Sequence, residues 1–332
     1  MGLRWRFYLW KEKLAELSGI SYPPVSILIA AHNAARTLRP LLLQLEEQRY
    51  PALWEVIVAA DRCTDETEAL LQEMQGRLPL RYVAIKAVPT GWQPKKYALW
   101  RASALAQYAW CVCIDADVVL SLDWLRGVMG VASGHVAVIA PAWLVSGGSL
   151  GGRLAAYEAA LVQVEAIGRA AWGRPYMATG RGWGVRRAWL RAGLSPWRTE
   201  LSGDDDLTFQ LIPPRQVSLS SAATFSPAPA SFREAFHRKW RHLQTARHFS
   251  LGLRLSLACI PLLQAVGGIS VVALAPMAWP ALLIPPLAKG IALYLFRAPG
   301  AAVALWADWI LLLLQALYPL GVYLRKARWS FP

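Results

Sequence analysis

Short apolar runs alternate with amphipathic stretches over the first third of the chain. The apolar runs are Val25–Ala31, Val56–Ala60, Tyr82–Val88 and Trp110–Ile114. They lack the polar alternation of half-exposed strands, which predicts strands buried on both faces of a parallel sheet. The stretches between them predict helices over Ala35–Gln48, Glu66–Arg77 and Lys95–Tyr108. Strands alternating with helices indicate an α/β layer with right-handed crossovers, of the kind that binds nucleotides.

The pattern changes twice further along the chain. Residues 124–235 are less regular and rich in Gly, Pro, Trp and Ser, which is typical of long functional loops on the acceptor side of a mixed domain. After Ser250 come three apolar segments, at residues 252–275, 278–296 and 301–324. The first and third reach the roughly 20 apolar residues of a spanning helix. The second contains Pro285, Pro286 and Lys289, so we expect it to be kinked, re-entrant or interfacial.

Two ionisable residues lie inside these apolar segments. Lys289 is in the second segment and Asp308 is in the third. Charged groups at membrane depth are costly unless they are paired or reach the headgroups. The sequence therefore predicts either an ion pair between Lys289 and Asp308 or separate snorkelling of each side chain.

Composition and charge favour a membrane over a nucleic acid as the large partner. The 332 residues are 55% hydrophobic and carry a net charge of +14. Two basic clusters, at residues 233–254 and 325–328, flank the apolar segments, and no nucleic-acid-binding motif is present. The positive-inside rule places both basic flanks, and the α/β layer that precedes them, in the cytoplasm of a multi-pass protein of the cell membrane. Residues 1–21 mix aromatic and basic residues, which predicts an amphipathic segment on the lipid surface.

Polar side chains follow three of the predicted strands at the point where each strand ends. His32 and Asn33 follow the first strand, Asp61 ends the second, and Asp115 and Asp117 follow the fourth. Ligands of open α/β sheets bind beyond the carboxyl ends of the strands, so we expect these groups to meet in one crevice. Two carboxylates one residue apart suit Mg²⁺ or Mn²⁺, although a solvated turn explains such a pair equally well in isolation.

Five stretches in this order resemble the inverting family-two glycosyltransferases of the GT-A fold. They are residues 25–67, PKKYALWRA, IDADVVLSLDWL, SGDDDLTFQL and RKWRH. Together they cover roughly residues 22–250, and the apolar C-terminus resembles that of the membrane-bound members. These include ceramide glucosyltransferases, processive polysaccharide synthases and bacterial lipid glycosyltransferases. The chain departs from the family pattern at Ala60, at Pro94 and at His242, where an acid, a glycine and a tryptophan are usual.

The resemblance implies a fold class and a division of the chain. The fold is α/β: a Rossmann-like GT-A nucleotide-diphospho-sugar transferase domain with C-terminal transmembrane helices. The expected segments are an interfacial segment at 1–21, a catalytic domain at 22–235, a basic juxtamembrane gating helix at 236–250 and an anchor of two to three hydrophobic helices at 251–332.

The resemblance also implies roles for single residues in donor binding. Ala31 and Asn33 would lie against the base and ribose with His32 alongside, and Asp61 would accept a hydrogen bond from uracil. Lys95, or alternatively Lys96, would meet the base or the phosphates. Asp115 would contact the ribose or sugar, and Asp117, with Asp115 beside it, would ligate Mg²⁺ or Mn²⁺. The residues assigned to the departing diphosphate are Arg238, Arg241 and His242.

The resemblance implies that the acidic motif supplies the general base. By motif position the base is Asp205, with Asp204 orienting it or contacting the acceptor. Three adjacent carboxylates repel one another, so at least one of their pKa values should be raised. Gly180–Trp183 resembles the small-residue loop that precedes this motif, and Trp183 either stacks on a sugar or packs in the core. Arg238 and Arg241 share a helix face, and an anionic-lipid patch is the alternative to a diphosphate clamp.

The expected function is transfer of one sugar from a nucleotide-sugar, in first place a UDP-sugar, to a membrane lipid. Two or three apolar segments are few for a polysaccharide channel, which disfavours the alternative of a processive polysaccharide synthase. A second alternative is a non-catalytic membrane protein that retains the fold and binds nucleotide or a partner. The departures at Ala60, Pro94 and His242 favour that alternative.

Overall fold

A computed structural model describes residues 21–259 and 283–295, together with residues 304, 307, 308 and 310. The predicted interfacial segment at the N-terminus lies outside these residues. Most of the first and third apolar segments also lies outside them. The part of the first segment that is described, residues 252–259, is helical.

Nine strands in the described residues form two sheets. In chain order they are β1 (Val25–Ala31), β2 (Trp54–Asp61), β3 (Leu80–Ile85), β4 (Trp110–Asp115), β5 (Ala137–Ile139), β6 (Ala142–Val145), β7 (Trp183–Arg186), β8 (Val217–Leu219) and β9 (Thr224–Pro227). Seven of them form one sheet in the order β3-β2-β1-β4-β7-β5-β8, and β6 pairs with β9.

The large sheet has a parallel half and a mixed half. β1 pairs in parallel with β2 and β4, and β2 pairs in parallel with β3. These are the four strands that the apolar runs predict. β7 runs antiparallel to both β4 and β5. β5, β7 and β8 have only three or four residues each, which is too short for a hydrophobic period to stand out in the irregular region.

The helices lie on both faces of the large sheet and beyond it. In chain order they are α1 (Ala35–Glu46), α2 (Thr67–Met74), α3 (Pro94–Leu105), α4 (Trp124–Met129), α5 (Leu150–Ala171), α6 (Arg187–Leu194), α7 (Asp206–Phe209), α8 (Phe232–Ala246) and α9 (Ile284–Leu295). The three helices predicted for the first third of the chain form as α1, α2 and α3.

Two apolar layers enclose the strands. Val25 and Ile27 of β1 pack with side chains of α1, α2 and α4 on one face. Leu28 lies in the other layer, with side chains of α3 and α6. Successive strand residues point to opposite faces, and both faces are covered, which accounts for the continuous apolar runs. The carboxyl edge of the parallel strands remains for polar side chains.

The basic helix α8 packs directly against this domain. It begins at Phe232 rather than at residue 236, because the Ser231 hydroxyl accepts a hydrogen bond of 3.2 Å from the backbone N–H of Glu234. Lys239 forms an ion pair with Glu158 of α5. The helix is therefore joined to the α/β domain by side-chain contacts, in addition to its place in the chain.

Of the two alternatives for the ionisable residues in the apolar segments, the structure has the ion pair. Lys289 of α9 forms an ion pair with Asp308, which is buried. The Tyr157 hydroxyl of α5 donates a hydrogen bond of 3.4 Å to the same carboxylate. Within the described residues, no helix has the length and apolar character needed to cross a membrane.

Candidate active site

The register of the parallel strands brings their carboxyl ends to one level. Ala30 of β1 lies opposite Asp115 of β4, and Ala31 lies opposite Ala60 of β2. Asp61, the next residue, is the last of β2. The strand ends therefore converge as expected, and the candidate site forms along this edge of the sheet.

The predicted base-binding residues lie at this edge, and two of them, His32 and Asp61, are in contact. His32 Nδ1 lies 2.5 Å from the backbone oxygen of Asp61, a contact that needs a proton on Nδ1. Asn33 has a φ of 46°, and its Oδ1 accepts a hydrogen bond of 2.8 Å from Thr64 N. Both carboxylate oxygens of Asp61 accept hydrogen bonds of 2.9 Å from Arg62. The atoms predicted to receive a uracil N–H are thus held by the neighbouring guanidinium group, which must move for Asp61 to bind a base.

One lysine connects the two acidic motifs. Lys95 Nζ lies 2.9 Å from Asp115 Oδ1 and 3.1 Å from Asp204 Oδ2. Asp115 ends β4, and Asp204 lies far along the chain, just before α7. The salt bridges require both motifs to face the same cleft. Charge-assisted contacts at these distances are the stronger class of hydrogen bond.

The adjacent lysine has a different environment. Lys96 is buried, and its Nζ donates hydrogen bonds of 2.8 Å to the backbone oxygens of Trp197 and Ser202. Burial lowers the pKa of Lys96 to about 8, against the opposing effect of nearby carboxylates. Residues 197–205, here called the acid loop, are thereby tied to the start of α3. The two alternatives for the phosphate-binding lysine are separated, because only Lys95 contacts the carboxylates.

The three aspartates of the acidic motif are buried and differ in their ionisation. Burial favours the protonated form of Asp204, but the charges of Lys95 and Lys96 outweigh it and lower the pKa. Burial and the charge of Asp204 raise the pKa of Asp205 to about 7. Burial and both neighbouring carboxylates raise the pKa of Asp206 well above its usual range. The rise in pKa expected from the sequence therefore occurs in Asp205 and Asp206 but not in Asp204.

One oxygen of Asp205 is held and the other faces the cleft. Oδ1 accepts a hydrogen bond of 2.8 Å from the backbone N–H of Asp206. A Cβ built on Gly180 would lie 3.5 Å from Oδ2 of Asp205 and 3.0 Å from Nζ of Lys95. Only a glycine leaves this space open beside the acids.

The rest of the small-residue loop packs inward. Trp183 is fully buried, and its ring meets Phe209 edge-on with 5.6 Å between centroids. Of the two predicted roles for Trp183, the structure therefore supports core packing. Gly203, with a φ of 85°, allows α8 to approach the acid loop closely, since a Cβ there would lie 2.7 Å from Thr245 Cγ2.

A cationic surface faces the acids. Arg238 and Arg241 lie on one face of α8, and Arg181 lies in the loop before β7. Burial lowers the pKa of all three, and the charge of Asp115 acts in the opposite direction on each. His242 on the same helix is open to solvent on one side, yet the surrounding protein and the charges of Arg238 and Arg241 lower its pKa. The predicted clamp residues Arg238 and Arg241 thus lie near enough to Asp115 for its charge to act on them.

The carboxylates at the end of β4 suit a divalent cation that arrives with its ligand. Asp117 is exposed to the cleft, but loss of hydration on its protein side and the charge of Asp115 raise its pKa. A cation would relieve this repulsion. In the part of the chain that the structure describes, no group of three or more His, Cys, Asp or Glu side chains is placed to hold a metal ion. Oxygen atoms of a bound ligand would have to complete the coordination shell.

Sequence reasoning missed the roles of three residues in this cleft. Arg62, which holds Asp61, was not considered. Lys96 was considered only as an alternative phosphate ligand, not as the anchor of the acid loop, and Arg181 only as part of the loop from Gly180 to Trp183. A charged residue between two glycines just before a strand was the available signal for Arg181. The sequence offered no comparable signal for the partners of Arg62 or Lys96.

Comparison with known proteins places the chain among sugar-transferring enzymes. The model of the family described as "Glycosyl transferase family 2" matches residues 26–194, just over half of the chain. The comparison with curated protein sequences gives no match.

One similar solved structure is a mannosyltransferase from Pyrobaculum calidifontis in complex with GDP-Man and Mn²⁺. It is 19% identical to this chain with a TM-score of 0.52, and the match covers 96% of this chain and 90% of the mannosyltransferase. S. aureus TarS is 15% identical with a TM-score of 0.46, covering 70% of this chain and 45% of that one. Glucosyl-3-phosphoglycerate synthase from Mycobacterium tuberculosis is 18% identical with a TM-score of 0.46, covering 69% and 82%.

Proposed function

Because the chain belongs to glycosyl transferase family 2, we propose that it is an inverting, metal-dependent transferase that moves a sugar from a nucleotide-sugar to an acceptor hydroxyl. The observation that carries this proposal is the bridge from Lys95 to both Asp115 and Asp204. The bridge supports one cleft in which a donor-binding motif and a base motif act on the same molecule.

Asp205 is the proposed general base. Its pKa of about 7 suits a group that must be ionised in part at neutral pH and still take a proton. Oδ2, the oxygen beside Gly180, would remove the acceptor hydroxyl proton as the acceptor oxygen forms its bond to the anomeric carbon. The bond from that carbon to the diphosphate breaks on the opposite face, so the configuration inverts and a nucleoside diphosphate leaves.

Asp117 and Asp115 are the proposed residues for Mg²⁺ or Mn²⁺. Both supply the oxygen ligands that hard cations prefer, and the mutual repulsion of their charges supports a cation between them. The ion would supply positive charge against the departing diphosphate. The enzyme of Pyrobaculum calidifontis, which has this fold, is in complex with GDP-Man and Mn²⁺.

The remaining donor contacts follow from the cleft. Arg238 and Arg241 are proposed to hold the diphosphate, with His242 beside them. Ala31, His32, Asn33 and Asp61 are proposed to hold the nucleoside. A UDP-sugar remains the first candidate donor, and rotation of Arg62 away from Asp61 is part of that proposal.

A membrane lipid is the proposed acceptor, and the proposed location is the cell membrane with the catalytic domain in the cytoplasm. Large apolar side chains are exposed on α8 and α9, among them Phe232, Phe236, Ile284 and Tyr294. Exposed apolar surface next to basic residues supports contact with a lipid surface. The division into an interfacial segment, a catalytic domain, a basic helix and an anchor of two to three apolar helices stays a proposal from the sequence.

The test uses the full chain purified in detergent. Release of nucleoside diphosphate would be measured from several UDP-sugars and from GDP-mannose, with Mn²⁺, with Mg²⁺ and with a chelator. We expect metal-dependent release with at least one donor and a loss of about 100-fold or more in Asp205→Asn. Asp123→Asn is the matched control, because Asp123 is exposed at the start of α4 and makes no capping hydrogen bond.

Outcomes of the same experiment separate the alternatives. No release from any donor by a folded protein would favour the non-catalytic nucleotide-binding alternative. Equal release by wild type and Asp205→Asn would remove Asp205 as the base. Addition of a lipid extract followed by mass spectrometry should give a lipid heavier by one sugar, whereas a polymer would favour processive synthesis.

A further inference from the structure

Arg181 is a buried cation with only neutral hydrogen-bond partners. Its side chain donates to Ser226 Oγ at 3.3 Å and to the backbone oxygen of Ala142 at 3.2 Å. No described carboxylate lies within ion-pair distance of it. A guanidinium group carries five N–H donors, so these two weak contacts leave most of its capacity unused.

Two further arginines, which are partly exposed, add positive charge nearby. Arg238 and Arg241 of α8 form no ion pair with a described carboxylate, and the charge of Arg238 acts on Arg181 to lower its pKa. The sidechain of Lys239, between them, is instead neutralised by Glu158. Like charges near one another in a partly dehydrated cleft repel, and an anion between them relieves the repulsion. The three arginines therefore form a cationic cluster that suits an anionic ligand.

The loop around Arg181 is shaped to hold it there. A Cβ on Gly180 would crowd Lys95 and the acids, and a Cβ on Gly182 would lie 2.9 Å from Thr224 Cγ2. The backbone N–H of Gly182 donates to Thr179 O at 3.1 Å and closes a tight turn. Arg181 is thus fixed between the small sheet of β6 and β9 and the cleft.

We propose that Arg181 is a third anion-binding arginine of the donor site and that its ligand is the terminal phosphate of the nucleoside diphosphate. This proposal rests on the proposed function. The anionic group can come from two sources, the donor diphosphate or an acidic lipid acceptor. The donor is favoured because Arg181 interacts electrostatically with Asp115 and Asp117, the pair proposed to hold the donor's metal ion.

The test measures binding of UDP, GDP, UMP and GMP to the full chain in detergent with Mn²⁺ by isothermal titration calorimetry. We expect Arg181→Met to weaken binding of the diphosphate by at least tenfold and of the matching monophosphate by less than twofold. Arg191→Met is the matched control. Arg191 also donates to one backbone oxygen and one serine hydroxyl, at 3.3 and 3.2 Å, but lies on α6 against α3. Its diphosphate affinity should equal that of wild type.

Each other outcome overturns a distinct statement. Unchanged diphosphate binding in Arg181→Met would refute the inference and leave the proposed function intact. Equal weakening of mono- and diphosphate would refute the assignment to the terminal phosphate. A loss of binding to vesicles of phosphatidylglycerol with unchanged UDP and GDP binding would assign Arg181 to an acidic acceptor instead. Failure of the wild type to bind any nucleotide would remove both the inference and the proposed function.

A second variant covers the case in which Arg181→Met does not fold. Arg181→Lys keeps the charge but replaces the planar group that binds phosphate through two N–H groups with a single ammonium. We expect it to weaken diphosphate binding by at least threefold. Wild-type affinity in this variant would refute the inference.

Discussion

Replacing Lys95 by methionine removes the positive charge that joins the two acidic motifs. In the native cleft its ammonium group lies 2.9 Å from Asp115 and 3.1 Å from Asp204. Methionine has a similar length and no charge, so the volume of the side chain is largely kept. The carboxylates then face one another without a cation between them.

The size of the effect follows from charge and distance. At an effective dielectric constant of about 20, two unit charges about 3 Å apart interact by roughly 5 kcal/mol, an upper bound before the cost of dehydrating the ammonium group. For Asp205, burial and Asp204 raise the pKa to about 7, while Lys95 acts in the opposite direction. Loss of Lys95 should therefore raise the pKa further. A rise of one pKa unit corresponds to about 1.4 kcal/mol, which reduces the ionised fraction at pH 7 from about half to about a tenth.

The assay is the pH dependence of kcat/KM for donor turnover. This quantity reports the ionisation of the free enzyme, which is the state that the structure shows. We expect wild type to gain activity as the pH rises through about 7, and Lys95→Met to gain it at least one pH unit higher. Lys86→Met, which removes an exposed lysine paired with Glu68 on the surface, should keep the wild-type profile. An acidic limb at the same pH in Lys95→Met would refute the reasoning, whatever the loss in absolute rate.

Three further predictions test other parts of the structure. Lys96→Met leaves two backbone oxygens of the acid loop without their hydrogen-bond donor. Steady-state kinetics should show kcat reduced about tenfold or more, with the donor KM changed less than twofold. A global folding defect would instead lower the unfolding temperature. Gly180→Ala should reduce turnover about tenfold at an unchanged unfolding temperature, because the added Cβ would press on Lys95. Gly76→Ala is the control and should match wild type in the same assay, because its Cβ would have no atom within 4 Å. Lys289→Met leaves Asp308 buried without a cation and should lower the free energy of unfolding by about 3 kcal/mol, measured by thermal melts in detergent. Adding Asp308→Leu should recover part of that loss. A Lys289→Met variant as stable as wild type would contradict this prediction.

Local patterns in the sequence predicted the parallel half of the fold. The apolar runs that form β1, β2 and β4 are continuous because both faces of each strand are covered by helices. The convergence of polar residues at the strand ends followed from the same assignment, since parallel strands end at a common edge. For Lys289 and Asp308 the sequence allowed either an ion pair or separate snorkelling, and only the structure shows that they pair.

Where each charged side chain points was decided only by the tertiary structure. Lys95 and Lys96 are neighbours of the same type, yet one meets two carboxylates and the other two backbone oxygens, because successive residues at the start of α3 face different parts of the protein. The sequence also did not predict the salt bridge from Arg62 to Asp61, or that the pKa of Asp205 is raised while that of Asp204 is lowered. The sequence by itself determined the strands and helices of the parallel half, because hydrophobic periodicity is a local property of the chain. The burial of a charge and the identity of its partners depend on residues distant in sequence, which come together only when the chain folds.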